Sequence, residues 1–185
     1  MKRWGLLCAG ILLFAGIASA QDTPKIETFL GYSYVYSSIG GTGIPGFRGT
    51  NFDIGGNGSV AFNLNKWFGV VGDFGGYHTG NLGSITHIGA TVYSYDGGPQ
   101  FSYRADKFTV FAHALFGGAH ASLGGTGINS FDMKLGGGAD VNLNERFAIR
   151  AIQADYALTR FNLFGFLNPA SQNNLRISTG VVIKF

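Results

Sequence analysis

The chain has 185 residues, of which 12% are charged and 15% aromatic, with 31 glycines, 4 prolines and one cysteine. A formal charge of +3 spread thinly along the sequence leaves no nucleic-acid footprint, and glycine interrupts the apolar stretches too often for long helices. A lone thiol rules out a disulfide framework within the chain.

In chain order, Lys2 and Arg3 precede an apolar run from Leu6 to Ile17 and then Ala18-Ser19-Ala20. That is the charged, greasy, small-residue order of a secretory signal peptide, with Ala18 and Ala20 framing cleavage before Gln21. The run falls short of the ~20 residues a spanning helix needs. Cys8 lies inside it, with Leu7 where a lipoprotein signal carries a small residue, so lipidation is not expected. The expected organisation is a leader over 1–20 and one domain over 21–185. Removing Lys2 and Arg3 leaves eleven basic against ten acidic residues and no thiol.

Period-two patterning then predicts eight strands, over 26–36, 51–63, 67–78, 88–103, 108–119, 131–142, 147–159 and 174–185. The breaks alternate in length. Asn63-Leu64-Asn65-Lys66, Arg104-Ala105-Asp106-Lys107 and Asn142-Leu143-Asn144-Glu145-Arg146 are short, and an aromatic follows each, Trp67, Phe108 or Phe147. The breaks over 37–50, 79–87, 120–130 and 160–173 are longer and rich in Gly, Ser, Thr and Asn. Gly55-Gly56, Gly75-Gly76, Gly117-Gly118 and Gly136 to Gly138 fall inside strands, where glycine allows the close backbone approach of a small barrel.

The two faces of each strand differ in a telling way. In the fourth, Tyr93, Tyr95, Phe101 and Tyr103 oppose Ser94, Asp96, Gln100, Ser102 and Arg104; in the sixth, Met133, Leu135, Ala139 and Val141 oppose Asp132, Lys134, Asp140 and Asn142. Tyr32, Tyr34 and Tyr36 extend an aromatic belt. The last strand ends with Leu175, Ile177, Thr179, Val181, Ile183 and Phe185 on one side. An even number of strands, three tight turns on one side and four longer loops on the other describe an all-β, antiparallel up-and-down barrel in a lipid bilayer, with short turns and both termini in the periplasm.

Leu30-Gly31-Tyr32-Ser33-Tyr34-Val35, Gln153-Ala154-Asp155-Tyr156 and the terminal Val181-Val182-Ile183-Lys184-Phe185 occur in the order and spacing of a known group. On these fragments the domain resembles the eight-stranded outer-membrane barrel superfamily that includes the transmembrane part of outer membrane protein A, the opacity proteins and porin-like relatives. The resemblance implies a cell outer membrane location. It implies that Val181, Ile183 and Phe185 form an assembly signal read by the barrel-assembly machinery, and that lipid and lipopolysaccharide surround the wall. The given sequence ends on the eighth predicted strand, so the cell-wall anchoring of some relatives is not expected here. It further implies an inner network of ion pairs, expected to comprise Glu27, Asp53, Asp73, Asp96, Arg104, Asp132, Lys134, Asp140 and Asp155.

Eight strands leave an interior just wide enough for side chains to fill, so these charges read first as structural filling. A narrow ion or solute channel is the alternative, and the acids outnumber Arg104 and Lys134, which would favour cations. Arg150 has ambiguous parity and is placed near the periplasmic rim, snorkelling. His78, His87 and His120 fall toward the outer ends of strands three to five without metal-motif spacing; His113 completes the four. His78 with Ser84, or His120 with Ser122, would be the pairs of an outer-membrane lipid-modifying enzyme, but no GxSxG context surrounds them. Gly124-Gly125-Thr126-Gly127 lacks the lysine of a phosphate loop. Thus no catalytic residue, metal or cofactor is expected, and the protein is not expected to be an enzyme. Ile44, Pro45, Phe47 and Arg48 in the first loop, and Phe161, Leu163, Phe164, Phe166, Leu167 and Pro169 in the fourth, offer a surface for an extracellular ligand. A soluble lipid-carrying barrel is the remaining alternative.

Overall fold

The computed structural model describes residues 23–38, 50–52, 54–79, 90–123, 126–161 and 170–185. The expected leader with Ala18 and Ala20, Asp53, His87, Ser84 and the named residues of the first and fourth loops other than Phe161 lie outside the described residues.

Nine β-strands follow in order: β1 (Ile26–Ser38), β2 (Thr50–Phe52), β3 (Ile54–Asn63), β4 (Phe68–Thr79), β5 (Ala90–Arg104), β6 (Phe108–Leu123), β7 (Thr126–Asn142), β8 (Phe147–Phe161) and β9 (Ala170–Lys184). β2 and β3 both pair antiparallel with β1, on either side of residue 53, and serve as one stave. Every other strand pairs antiparallel with its sequence neighbours, and β1 pairs with β9 from Glu27↔Lys184 to Ser38↔Asn173. The sheet therefore closes into an eight-staved up-and-down barrel, which leaves no unpaired edge. Its seam is zipped at the chain end, where Phe185 N donates to Ile26 O at 2.9 Å.

Two of the three tight turns are built by asparagine. Asn65 Oδ1 accepts from the backbone N–H of Trp67 (3.0 Å) and Phe68 (2.8 Å), and Asn144 Oδ1 accepts from Arg146 (2.9 Å) and Phe147 (2.8 Å) in the same arrangement. Such side-chain mimicry of a backbone turn is why Asn recurs there. The seven sequence-derived strands other than the second match single strands of the barrel. The expected break over 120–130 is instead mostly strand: β6 and β7 stay paired up to Leu123↔Thr126. Its glycine- and serine-rich composition imitates a loop, whereas the hairpin simply extends past the apolar band.

Burial alternates along the staves with the reverse of the usual polarity. The buried parity carries Ser94, Asp96, Gln100 and Ser102 in β5 and Asp132 and Lys134 in β7. The exposed parity carries Leu30, Val70, Val110, Leu135, Ile152, Ile177 and Val181 across the middle of the wall. Two aromatic rings border that band. Phe62, Phe101, Tyr103, Phe108, Phe147 and Phe185 lie at the turn side; Tyr32, Tyr36, Phe74, Tyr93, Phe131 and Tyr156 lie toward the loop side. Neighbouring rings touch within each, Phe68 and Phe101 at 5.1 Å and Phe74 and Tyr93 at 6.3 Å between centroids.

The register shifts in β8 between Arg150 and Gln153 against β9, and in β7 between Ala139 and Asp140 against β8. Ala151 and Ile152 both face outward as a result, and Arg150 and Gln153, three residues apart, both face inward. A bulge of this kind re-aims side chains at the cost of local pairing.

Candidate functional site

The lumen holds two rows of side chains set by register. One runs His113↔Gly136, Gly136↔Asp155 and Asp155↔Arg176 across β6 to β9. Gly136 has no side chain, so His113 reaches across β7 to Asp155, with Nε2 2.7 Å from Oδ1. The other row runs Asp73↔Asp96, Asp96↔Gly117, Gly117↔Asp132 and Asp132↔Thr159. Three carboxylates on one ring repel unless a cation sits among them. Lys134 fills that role: its Nζ contacts Asp96, lies 2.7 Å from Asp132 and 4.0 Å from Asp73.

Arg176, 1% exposed, joins the rows. Its Nε donates to Asp155 Oδ2 at 2.8 Å, its Nη1 to Asp73 Oδ1 at 2.6 Å and to Tyr77 OH at 3.2 Å. Asp155 also accepts from Gln153 Nε2 (2.8 Å), and Gln153 Oε1 from Arg150 Nη1 (2.7 Å). Arg150 is not at the rim. It is buried, forked onto Asp140 through Nε (2.8 Å) and Nη2 (3.1 Å), and its guanidinium lies 4.3 and 4.2 Å from the ring centres of Phe29 and Phe111. Apolar contacts fill the lumen beside it, Phe29 with Ala148 and Val182, and Ala61 with Val71 and Leu115. At the turn side Arg104 reaches Glu27 (3.2 Å), Asn63 Oδ1 (2.9 Å) and Lys66 O (2.7 Å), and ties two turns to the first strand.

Glu27, Asp73, Asp96, Arg104, Asp132, Lys134, Asp140 and Asp155 therefore all lie inside, Glu27 and Arg104 as a turn-side pair and the other six joined in one chain of contacts through Arg150, Gln153 and Arg176, while Asp53 is outside the described residues. Arg150, Arg176 and His113 are the members that sequence reasoning missed. Among the described residues the inward cations are four, not two, against six inward acids, so the acid excess narrows to two. Arg176 shares parity with Asn174 and Ser178, a signal that was available. Of the histidines, His78 bonds Thr91 Oγ1 at 3.0 Å and His120 bonds Asn129 Oδ1 at 2.7 Å on the outer wall, while His113 faces inward and His87 lies outside the described residues. Among the described residues no group of three His, Cys, Asp or Glu is disposed to hold a metal.

A charged interior inside an apolar, aromatic-ringed wall is a membrane barrel turned inside out relative to a soluble one. The fold is that of the eight-stranded outer-membrane β-barrels. Neisserial surface protein A is similar in structure at a TM-score of 0.66 and 13% identity, over 87% of this chain and 97% of that one. Ail, the attachment invasion locus protein of Yersinia pestis, solved with the heparin analogue sucrose octasulfate, is similar at 0.50 and 19% identity, over 87% and 99%. No family model matches the sequence, nor does any curated protein.

Proposed function

We propose that the chain is an integral protein of the bacterial outer membrane, a barrel closed by a structural network, with its specific role carried by the loops at the end opposite the tight turns. The carrying observation is the inverted polarity: Asp155 and Arg176 are sealed inside while Leu30 and Tyr103, 63% and 67% exposed, point out. In plain water that wall would be a large apolar patch; in lipid it is the matched solvent. A lipid carrier has the opposite need, an apolar inner wall, which this lumen does not offer. The acid–imidazole pair found among the described residues, His113 with Asp155, has no hydroxyl bonded to it and sits within the plug, which supports a scaffold rather than a catalyst.

Cell fractionation tests this reading. The protein should pellet with the outer membrane, resist extraction by salt and carbonate, and dissolve in detergent with heat-modifiable gel mobility; release into plain buffer would refute it. A narrow ion path is the second reading, favoured by the continuous polar chain from Asp140 to Thr159. Planar bilayers separate the two, since a sealed lumen predicts no steady conductance above leak.

A further inference from the structure

The turn-side rim carries cations that the lumen does not use. Lys25, Lys107 and Arg146 are exposed and Lys66 is half-buried, and none of the four joins an ion pair among the described residues. Inside the barrel, by contrast, Arg104, Lys134, Arg150 and Arg176 each lie within 4.0 Å of a carboxylate. The exposed acids described on the same rim are Asp106 and Glu145. At the opposite, loop-side end of the wall the described residues hold one full cation, Arg160.

The placement repeats. In two of the three tight turns the cation immediately precedes the outward aromatic that starts the turn-side ring, Lys107 before Phe108 and Arg146 before Phe147; in the first, Lys66 stands two residues before Phe68, whose ring meets that of Phe101 at 5.1 Å. An aromatic ring of this kind settles at the level where apolar chains meet headgroups. The residue one step farther from the band then stands among the phosphates. Three such cations spread around one circumference face the membrane surface rather than a compact ligand.

We propose that this rim binds anionic glycerophospholipid headgroups of the periplasmic leaflet, with Lys66, Lys107 and Arg146 each contacting phosphate oxygens. The inference rests on the membrane reading above. A cation near an anionic lipid surface gains about 1 kcal/mol, or about a fivefold local preference, at low salt. Asp106 and Glu145 temper it without cancelling it.

Trp67 supplies the reporter. With Trp4 replaced by phenylalanine, the chain is refolded into phosphatidylcholine vesicles containing a fixed fraction of lipid brominated near the headgroup, either phosphatidylglycerol or phosphatidylcholine. Heat-modifiable mobility first verifies insertion, and its failure would count against the membrane reading alone. In the inserted protein, brominated phosphatidylglycerol should quench Trp67 more strongly than brominated phosphatidylcholine, by up to about fivefold in local lipid ratio. Salt at ~1 M should abolish the difference, because screening shortens to ~3 Å. The triple variant Lys66→Gln, Lys107→Gln, Arg146→Gln should abolish it too. Should the triple variant fail to insert, Lys107→Gln alone, whose side chain makes no hydrogen bond or ion pair among the described residues, should reduce it. Equal quenching by the two lipids in the unsubstituted rim, or a preference indifferent to salt, would overturn the proposal.

Discussion

Arg176→Met removes the cation that joins the two lumen rows while keeping a side chain of similar length. Asp155 then keeps His113 Nε2 at 2.7 Å and Gln153 Nε2 at 2.8 Å. Asp73 keeps Asn57 Nδ2 at 3.1 Å, with Lys134 no closer than 4.0 Å. Breaking a buried ion pair from one side costs about 3–5 kcal/mol, chiefly because the partner charge is stranded. Two carboxylates are stranded here, so the loss should lie near the upper end, about 5 kcal/mol. Summing the individual hydrogen bonds would overstate it, since each was bought by desolvation. The rank order of rescue is the sharper test. Asp73→Asn in the Arg176→Met background should restore about 1–3 kcal/mol, and Asp155→Asn should restore less, because Asp155 retains two good donors. Guanidinium unfolding in vesicles, followed by Trp67 fluorescence and by gel mobility, measures the unsubstituted protein, the three single variants and the two double variants as two cycles. A loss under about 1 kcal/mol for Arg176→Met, or a larger rescue from Asp155→Asn than from Asp73→Asn, would refute this account of the lumen.

Substituting the outer wall should give a cost graded by depth. Leu135→Arg, half exposed in the middle of β7, should lose about 2–4 kcal/mol in the same unfolding assay, and Tyr103→Arg at the turn-side ring only about 0–1. Equal losses would show that the wall does not meet a bilayer. Asn144→Ala deletes the acceptor for two backbone N–H groups in its turn and should cost about 1 kcal/mol; the unfolding midpoint should drop with an unchanged slope, and an unmoved midpoint would remove the asparagine from the turn's account.

The number of staves was legible because one face must meet lipid and the other the axis, so stretches of period two survive in each stave on either side of any bulge. Where both faces of a strand are apolar the signal fails: His113 sits among Phe111 and Leu115 on the inward side and Ala112 and Ala114 on the outward side, and nothing in that run marks it as a charge partner. Arg150 was illegible for a different reason. The bulge at Ala151 and Ile152 breaks the period on which inward and outward are counted, so parity carried through it points the wrong way. The loop-side ends of β6 and β7, 120–123 and 126–130, fell in an expected loop because beyond the apolar band neither face is selected for grease, and Ser122, Asn129 and Ser130 look alike on either side.

Small residues settle how such a narrow lumen is filled. A Cβ at Gly75 would run into Tyr77 OH and lie 2.7 Å from its Cζ; one at Gly118 would lie 2.8 Å from Tyr95 OH and 2.9 Å from its Cζ. The two sites look equivalent by contact, yet they should respond differently. Tyr77 is buried and held by Arg176 at 3.2 Å, beside Val35 and Val92, so it has nowhere to go. Tyr95 lies on the lipid face, half exposed, and its ring swings aside into fluid chains. Gly75→Ala should therefore cost about 1–3 kcal/mol as overpacking, while Gly118→Ala should stay within about 0.5 kcal/mol. Gly72, where an added Cβ meets nothing within 4 Å, is the control and should tolerate alanine as well. If Gly118→Ala proves as damaging as Gly75→Ala, the constraint is the backbone of the wall rather than the crowding of the axis, and the lumen's packing is looser than its hydrogen bonds imply.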